Sequence, residues 1–183
     1  MKIIIIGLGL IGGSIAKTLS SSKDYEIFAF DSDQNSIRNA LDNQSIQGSL
    51  HSLDDLGNSK YEDSLVIIST PPGVTADILR SLNFLFNTSV TITDTTSTKT
   101  SLNKILQEFN FPENFLFSHP VAGSHLSGEK NSATDLFNGK STILSYHESA
   151  GSQHIDRVIS LWDALGSKVT ILDADLHDQI FAY

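Results

Sequence analysis

His119 is the side chain best suited to chemistry. It follows a short apolar run, Phe115–Ser118, and opens a loop of small residues, Pro120-Val121-Ala122-Gly123-Ser124-His125-Leu126-Ser127-Gly128. A neutral imidazole, with an ordinary pKa of about 6.5, can take a hydroxyl proton at neutral pH. Oxidation of an alcohol by hydride loss needs such a base, because the proton leaves oxygen as the hydride leaves carbon. Pro120 limits the backbone just after it. Ser97 lies in a second loop after a predicted strand, Asp94-Thr95-Thr96-Ser97-Thr98-Lys99-Thr100. Its hydroxyl reads equally as a partner for the reacting oxygen or as a turn hydroxyl. Asp94 reads as the residue that orders this loop. His125 reads as a gate or as a solvent-facing group. His51, His147, His154 and His177 read as structural.

A hydride acceptor is implied near the N-terminus. Gly7-Leu8-Gly9-Leu10-Ile11-Gly12 follows the apolar run Lys2–Ile6 and opens a helical pattern. In such a turn the first glycine permits the tight bend, the second lets a pyrophosphate approach the backbone, and the third lets helix pack on strand. The helix start offers unpaired N–H groups and the positive end of a dipole. Asp31 ends the next strand, 19 residues after Gly12. A carboxylate there accepts ribose hydroxyls and repels a 2′-phosphate, and no Lys or Arg lies between Asp31 and Ile37. NAD is therefore favoured over NADP. Ser69-Thr70-Pro71-Pro72 reads either as a wall for the cofactor ribose or as a plain strand-to-helix turn.

The elements that must position these residues alternate. Strands are predicted at Lys2–Ile6, Glu26–Asp31, Ser64–Ser69, Ser89–Asp94, Phe115–Ser118, Ser141–Tyr146 and Lys168–Leu172. Helices are predicted at Ile11–Leu19, Asp33–Leu41 with Asp33 as a cap, Val74–Leu85, Ser101–Phe109, His154–Leu165 and Ala174–Tyr183. This order predicts an α/β fold of Rossmann type, a doubly wound, mostly parallel sheet with helices on both faces. Ligands of such sheets bind beyond the carboxyl ends of the strands, where the strand order reverses. That rim collects every motif above.

Composition narrows the function. Lys and Arg total 12 against 21 Asp and Glu, a net charge of −9, with 39% hydrophobic residues and no cysteine. This excludes disulfides, thiolate metal sites and cysteine nucleophiles, and no metal site is read. The charge argues against nucleic acid and anionic membrane as partners. Only Met1 and Lys2 precede the first apolar run. A cleaved leader is therefore not expected, and a cytoplasmic protein is.

Met1–Ser14, Asp31, the Thr70-Pro71 turn, Asp94…Ser97…Lys99 and His119-Pro120-Val121-Ala122-Gly123-Ser124…Ser127-Gly128 together resemble the prephenate/arogenate dehydrogenases of tyrosine biosynthesis. The resemblance covers essentially the whole chain, and its specific part is the HP-x-AG-[ST]-x-x-SG stretch. It implies NAD(P)-dependent oxidative decarboxylation of prephenate to 4-hydroxyphenylpyruvate, or of arogenate to tyrosine. It implies that His119 accepts the proton of the ring hydroxyl with help from Ser97. It puts Ser124 near the substrate or the nicotinamide, with His125 and Lys99 as further substrate-side candidates. Two positions depart from the pattern: Thr96 stands where a smaller residue is common before the serine, and His125 where an acidic or polar one is. Family members continue past a segment like this one into a helical domain that builds a homodimer and supplies an arginine for the substrate carboxylate. Residues 1–172 are thus expected to be the NAD-binding domain and 173–183 the start of the helical one. Arg38, Arg80 and Arg157 all fall on predicted helices, outside the rim motifs. Binding of a dianion by this chain alone is therefore expected to be weak. A β-hydroxyacid dehydrogenase is disfavoured by the HP-x-AG stretch, and an NAD-binding module without turnover is the alternative of a different class.

Overall fold

The computed structural model describes residues 1–122, 132–173 and 177. Eight strands form one sheet: β1 (Lys2–Ile6), β2 (Glu26–Phe30), β3 (Gly48–Ser49), β4 (Leu65–Ile68), β5 (Thr91–Asp94), β6 (Phe115–Pro120), β7 (Ser141–Ser145) and β8 (Lys168–Ile171). Their order across the sheet is β3-β2-β1-β4-β5-β6-β7-β8. The helices are α1 (Leu10–Leu19), α2 (Gln34–Asp42), α3 (Pro72–Ser81), α4 (Thr100–Glu108) and α5 (Ser152–Ala164).

β1 shows why the sheet is covered on both faces. Its four isoleucines are all buried, and successive side chains point to opposite faces. Ile3 and Ile5 join Ile15 of α1, Ile37 of α2 and Trp162 of α5 in one core. Ile4 and Ile6 join Leu79 of α3, Ile105 of α4 and Tyr61 in the other. A continuous apolar run is what a parallel strand between two helical layers requires. Among the described residues no helix is long and apolar enough to cross a membrane.

From β1 the chain builds outward through β2 and β3, then returns to β4 on the opposite side of β1. The crevice opens at this reversal. The expected doubly wound sheet stands, with three refinements, and the helix expected at Ala174–Tyr183 lies, but for His177, outside the described residues. β7 runs antiparallel to β6, and β8 is parallel to β7. The short β3 and two 3₁₀ turns, Leu53–Gly57 and Ser59–Tyr61, fill the stretch before β4. β6 continues through His119 and Pro120, which pair with Ile143 and Thr142 of β7. A proline fits there because the register with β5 covers only Phe115 and Leu116, so its missing N–H faces an edge.

Candidate active site

The nucleotide end is built by backbone. Gly7 has φ +94°, and a Cβ there would lie 2.6 Å from the Ser69 carbonyl oxygen. A Cβ at Gly12 would overlap the Gly7 carbonyl, so only glycine lets α1 approach β1 this closely. Gly9 differs: nothing lies within 4 Å of where its Cβ would be. That open space borders the first turn of α1, which has no capping side chain and no acidic residue. Its N–H groups therefore face the groove as an anion site.

Asp31 closes the turn from β2. Its Oδ2 accepts the Leu8 N–H at 2.6 Å, and its Oδ1 accepts the Asp33 N–H at 2.8 Å. The cap of α2 is Asp33, as expected, whose Oδ1 accepts the Asn35 N–H at 3.0 Å. The Asn35 N–H, with the Ser36 hydroxyl, holds the Asp33 carboxyl below the usual carboxylate range. Gly7, Gly9, Asp31, Ser69, Pro71 and the apolar pair Val74 and Ile78 line a cavity of about 390 Å³. Glycines, an open helix terminus, a rim carboxylate and an apolar wall fit a dinucleotide's pyrophosphate, ribose and adenine in turn.

A second cavity of about 540 Å³ carries the chemical residues. Gly9, Leu10 and Ile11 line one side, Ser69, Thr70 and Pro71 another, and Ser97 and His119 a third. The Ser69–Pro71 turn borders both cavities. Ser97 is exposed and His119 half-buried. The parallel pairing of β5 and β6 delivers both residues to one rim.

Beneath them lies a buried polar network. Lys99 is 1% exposed, and its ammonium donates to Asp94 Oδ2 at 2.6 Å, to the Thr96 carbonyl at 2.9 Å and to the Ser118 carbonyl at 2.7 Å. Asp94 also accepts from the N–H and hydroxyl of Thr96, and from the Ser118 N–H at 3.2 Å. The Ser118 hydroxyl bonds Thr93 at 2.8 Å and accepts from the Trp162 indole at 3.0 Å. The peptide before His119 is thus clamped at N–H, carbonyl and side chain, and Asp94 continues the pairing where β5 stops.

The expected site residues therefore fare differently. Gly7, Gly9, Leu10, Ile11, Asp31, Ser69, Thr70, Pro71, Ser97 and His119 line the two adjoining cavities, whereas Leu8 and Gly12 are buried in the turn. Lys99, expected beside the substrate, is turned inward, where its charge is neutralised by Asp94. Ser124 and His125 lie outside the described residues. His147 stacks on Phe111, and His154 is buried against Thr91 Oγ1 at 2.7 Å. His177 is not merely structural in its position, because its Nε2 lies 2.9 Å from Nδ1 of His119. Sequence reasoning missed this contact, since 58 residues separate the two and nothing in their spacing signals it.

Fold and groove define a dinucleotide-binding domain. The family described as "Prephenate dehydrogenase, nucleotide-binding domain" matches residues 15–171, and the chain belongs to it. It is 31% identical over 183 residues to a prephenate dehydrogenase of Lactococcus lactis subsp. cremoris, covering 98% of this chain and 48% of that protein. It is 29% identical over 187 residues to a cyclohexadienyl dehydrogenase of Zymomonas mobilis subsp. mobilis, covering 98% and 61%. The solved prephenate dehydrogenase of Aquifex aeolicus in complex with hydroxyphenyl propionate and NAD+ superposes with a TM-score of 0.85 at 27% identity, over 99% of this chain and 63% of that one. The chain thus spans about half to three-fifths of the length of the curated relatives it matches.

Proposed function

We propose that this chain is the NAD-binding part of a cytoplasmic dehydrogenase that oxidatively decarboxylates prephenate to 4-hydroxyphenylpyruvate in tyrosine biosynthesis. One observation carries the reading: the cavity that begins at the glycine turn ends at Ser97 and His119. NAD, bound along the two cavities, supplies the hydride acceptor. The first turn of α1 receives the pyrophosphate, and Asp31 receives the adenosine ribose hydroxyls. The Thr70-Pro71 turn walls the nicotinamide side.

His119 takes the proton of the ring hydroxyl as hydride leaves the carbon that bears it, while Ser97 orients the same oxygen. The ring carboxylate departs as carbon dioxide, the ring becomes aromatic, and His119 returns the proton to the phenolate oxygen. Aromatisation supplies the driving force, so the protein's task is to position and to hold charge. Ser124 and His125 belong to the substrate side in this reading.

Residues 173–183 enter a helical domain that completes the substrate site with an arginine and forms a homodimer. Two features support this division. The chain covers 48% of its Lactococcus relative. Arg80 pairs with Glu108, and Arg157 with Ser89 and Thr91, on helices away from the groove. Arogenate is the second substrate reading, favoured by the Synechocystis arogenate dehydrogenase structure, with a TM-score of 0.83 at 26% identity.

The test is His119→Asn in the protein carrying the helical continuation. Turnover should fall by about 10²–10⁴-fold with NAD affinity retained. Unchanged turnover would remove His119 as the base.

A further inference from the structure

His177 is fully buried, and its ring meets that of His119 edge to face, at 5.1 Å and 67°. Its Nε2 lies 2.9 Å from Nδ1 of His119. Its own N–H is bonded to the Asp173 carbonyl at 2.9 Å. It stands beyond residues 15–171, the stretch matched by the nucleotide-binding family.

We propose that His177 is a positioning residue that sets the tautomer of His119. This rests on the reading of His119 as a base. Two neutral imidazoles at hydrogen-bond distance must divide the roles, one nitrogen donating and the other accepting. If His177 donated, His119 would carry its proton on Nε2 and that nitrogen could take no other. If His177 Nε2 accepts from His119 Nδ1–H, the Nε2 of His119 is unprotonated and able to receive the substrate's proton. Only the second arrangement makes His119 a base at Nε2. The burial of His177 removes competing water from the bond and fixes the ring plane of its partner.

The groove's two tasks then have different sources. The nucleotide-binding stretch holds the hydride acceptor, whereas the base is oriented by a residue beyond that stretch.

Two-bond ¹H–¹⁵N correlations on the histidine-labelled chain, at about pH 8.5 so that imidazoles are neutral, read the tautomer directly. His119 should be protonated on Nδ1. His177→Phe, which keeps a ring but no acceptor, should lose that preference, and His177→Gln, which keeps an acceptor, should retain it. In the protein carrying the helical continuation, His177→Phe should lower kcat on the order of 10–100-fold, the range for loss of an imidazole's orienting partner. KM for NAD should not change, and His177→Gln should recover most of the rate. A His119 protonated on Nε2 in the native chain overturns the proposal, as does a tautomer unmoved by His177→Phe. If His177→Phe does not fold, the native tautomer decides alone. Failure of His119→Asn to slow turnover removes the base and leaves the tautomer result standing, so the two readings fail separately.

Discussion

Around Gly7, Gly9 and Gly12 the groove is shaped by side chains that are missing, whereas around His119 it is shaped by side chains that are buried. At the first end the backbone itself approaches the ligand, and any Cβ at Gly7 or Gly12 meets main chain. At the second end Lys99, Asp94, Ser118, Thr93 and Trp162 bond one another beside His119. A phosphate needs only N–H groups and room, which glycine gives. A proton acceptor must be held to a fraction of an ångström, which takes a network of satisfied polar groups.

The contrast breaks most severely at Lys99. Lys99→Met leaves the Asp94 carboxylate buried without its cation, and removal of one member of such a pair costs about 3–5 kcal/mol. Urea unfolding should show that loss, and Asp94→Asn with Lys99→Met should recover part of it. A single variant as stable as the native chain would mean that the network does not hold this end. Next come the glycines. Gly12→Ala should cost about 1–3 kcal/mol of stability through overpacking and weaken NAD as well. Gly9→Ala should leave the unfolding midpoint in place yet weaken NAD about tenfold, or about 1.4 kcal/mol, because its methyl projects into the open path of the pyrophosphate. Equal effects of the two on stability would erase the distinction between packing glycine and ligand glycine.

Asp31→Ala has a smaller effect. Titration should show NAD weakened by roughly fivefold, about 1 kcal/mol for a lost hydrogen bond, and discrimination against NADP relaxed. Unchanged selectivity would remove the ribose assignment. The smallest effect lies outside the groove. Burial, and then the Arg157 guanidinium, hold the His154 imidazole below its ordinary value, with Glu113 opposing them. The unfolded chain therefore binds a proton that the folded chain does not, and stability falls as pH drops through the ordinary imidazole range. Between about pH 7 and pH 5 the native chain should lose more stability than His154→Asn does. Parallel pH curves for the two would exclude His154 as an acid-sensitive point.

Much of this was legible because it rests on local pattern. Continuous apolar runs at β1 and β4 read as buried strands, and the glycine spacing with Asp31 fixes the turn from β1 into α1. The limits of α3 were less legible. Pro71-Pro72 reads as a stop, yet Pro72 opens the helix, where its absent N–H costs nothing. β3 is two residues, Gly48 and Ser49, without the branched side chains that signal a strand. At the site, Ser97 and His119 were found by the elements they follow. The inward turn of Lys99 was not, since a lysine in a polar loop ordinarily faces water and only the tertiary contact with Ser118 draws it in. In the sequence His177 is bland for the same reason: its meaning comes from His119, brought near by tertiary structure.

The sequence has one tryptophan, and it donates to the hydroxyl of Ser118, the residue immediately before His119. Indole emission is sensitive to the polarity and hydrogen bonding of its surroundings. The chain thus carries its own optical reporter under the β6 strand, and a spectral change on adding a ligand would register motion of that strand without any label.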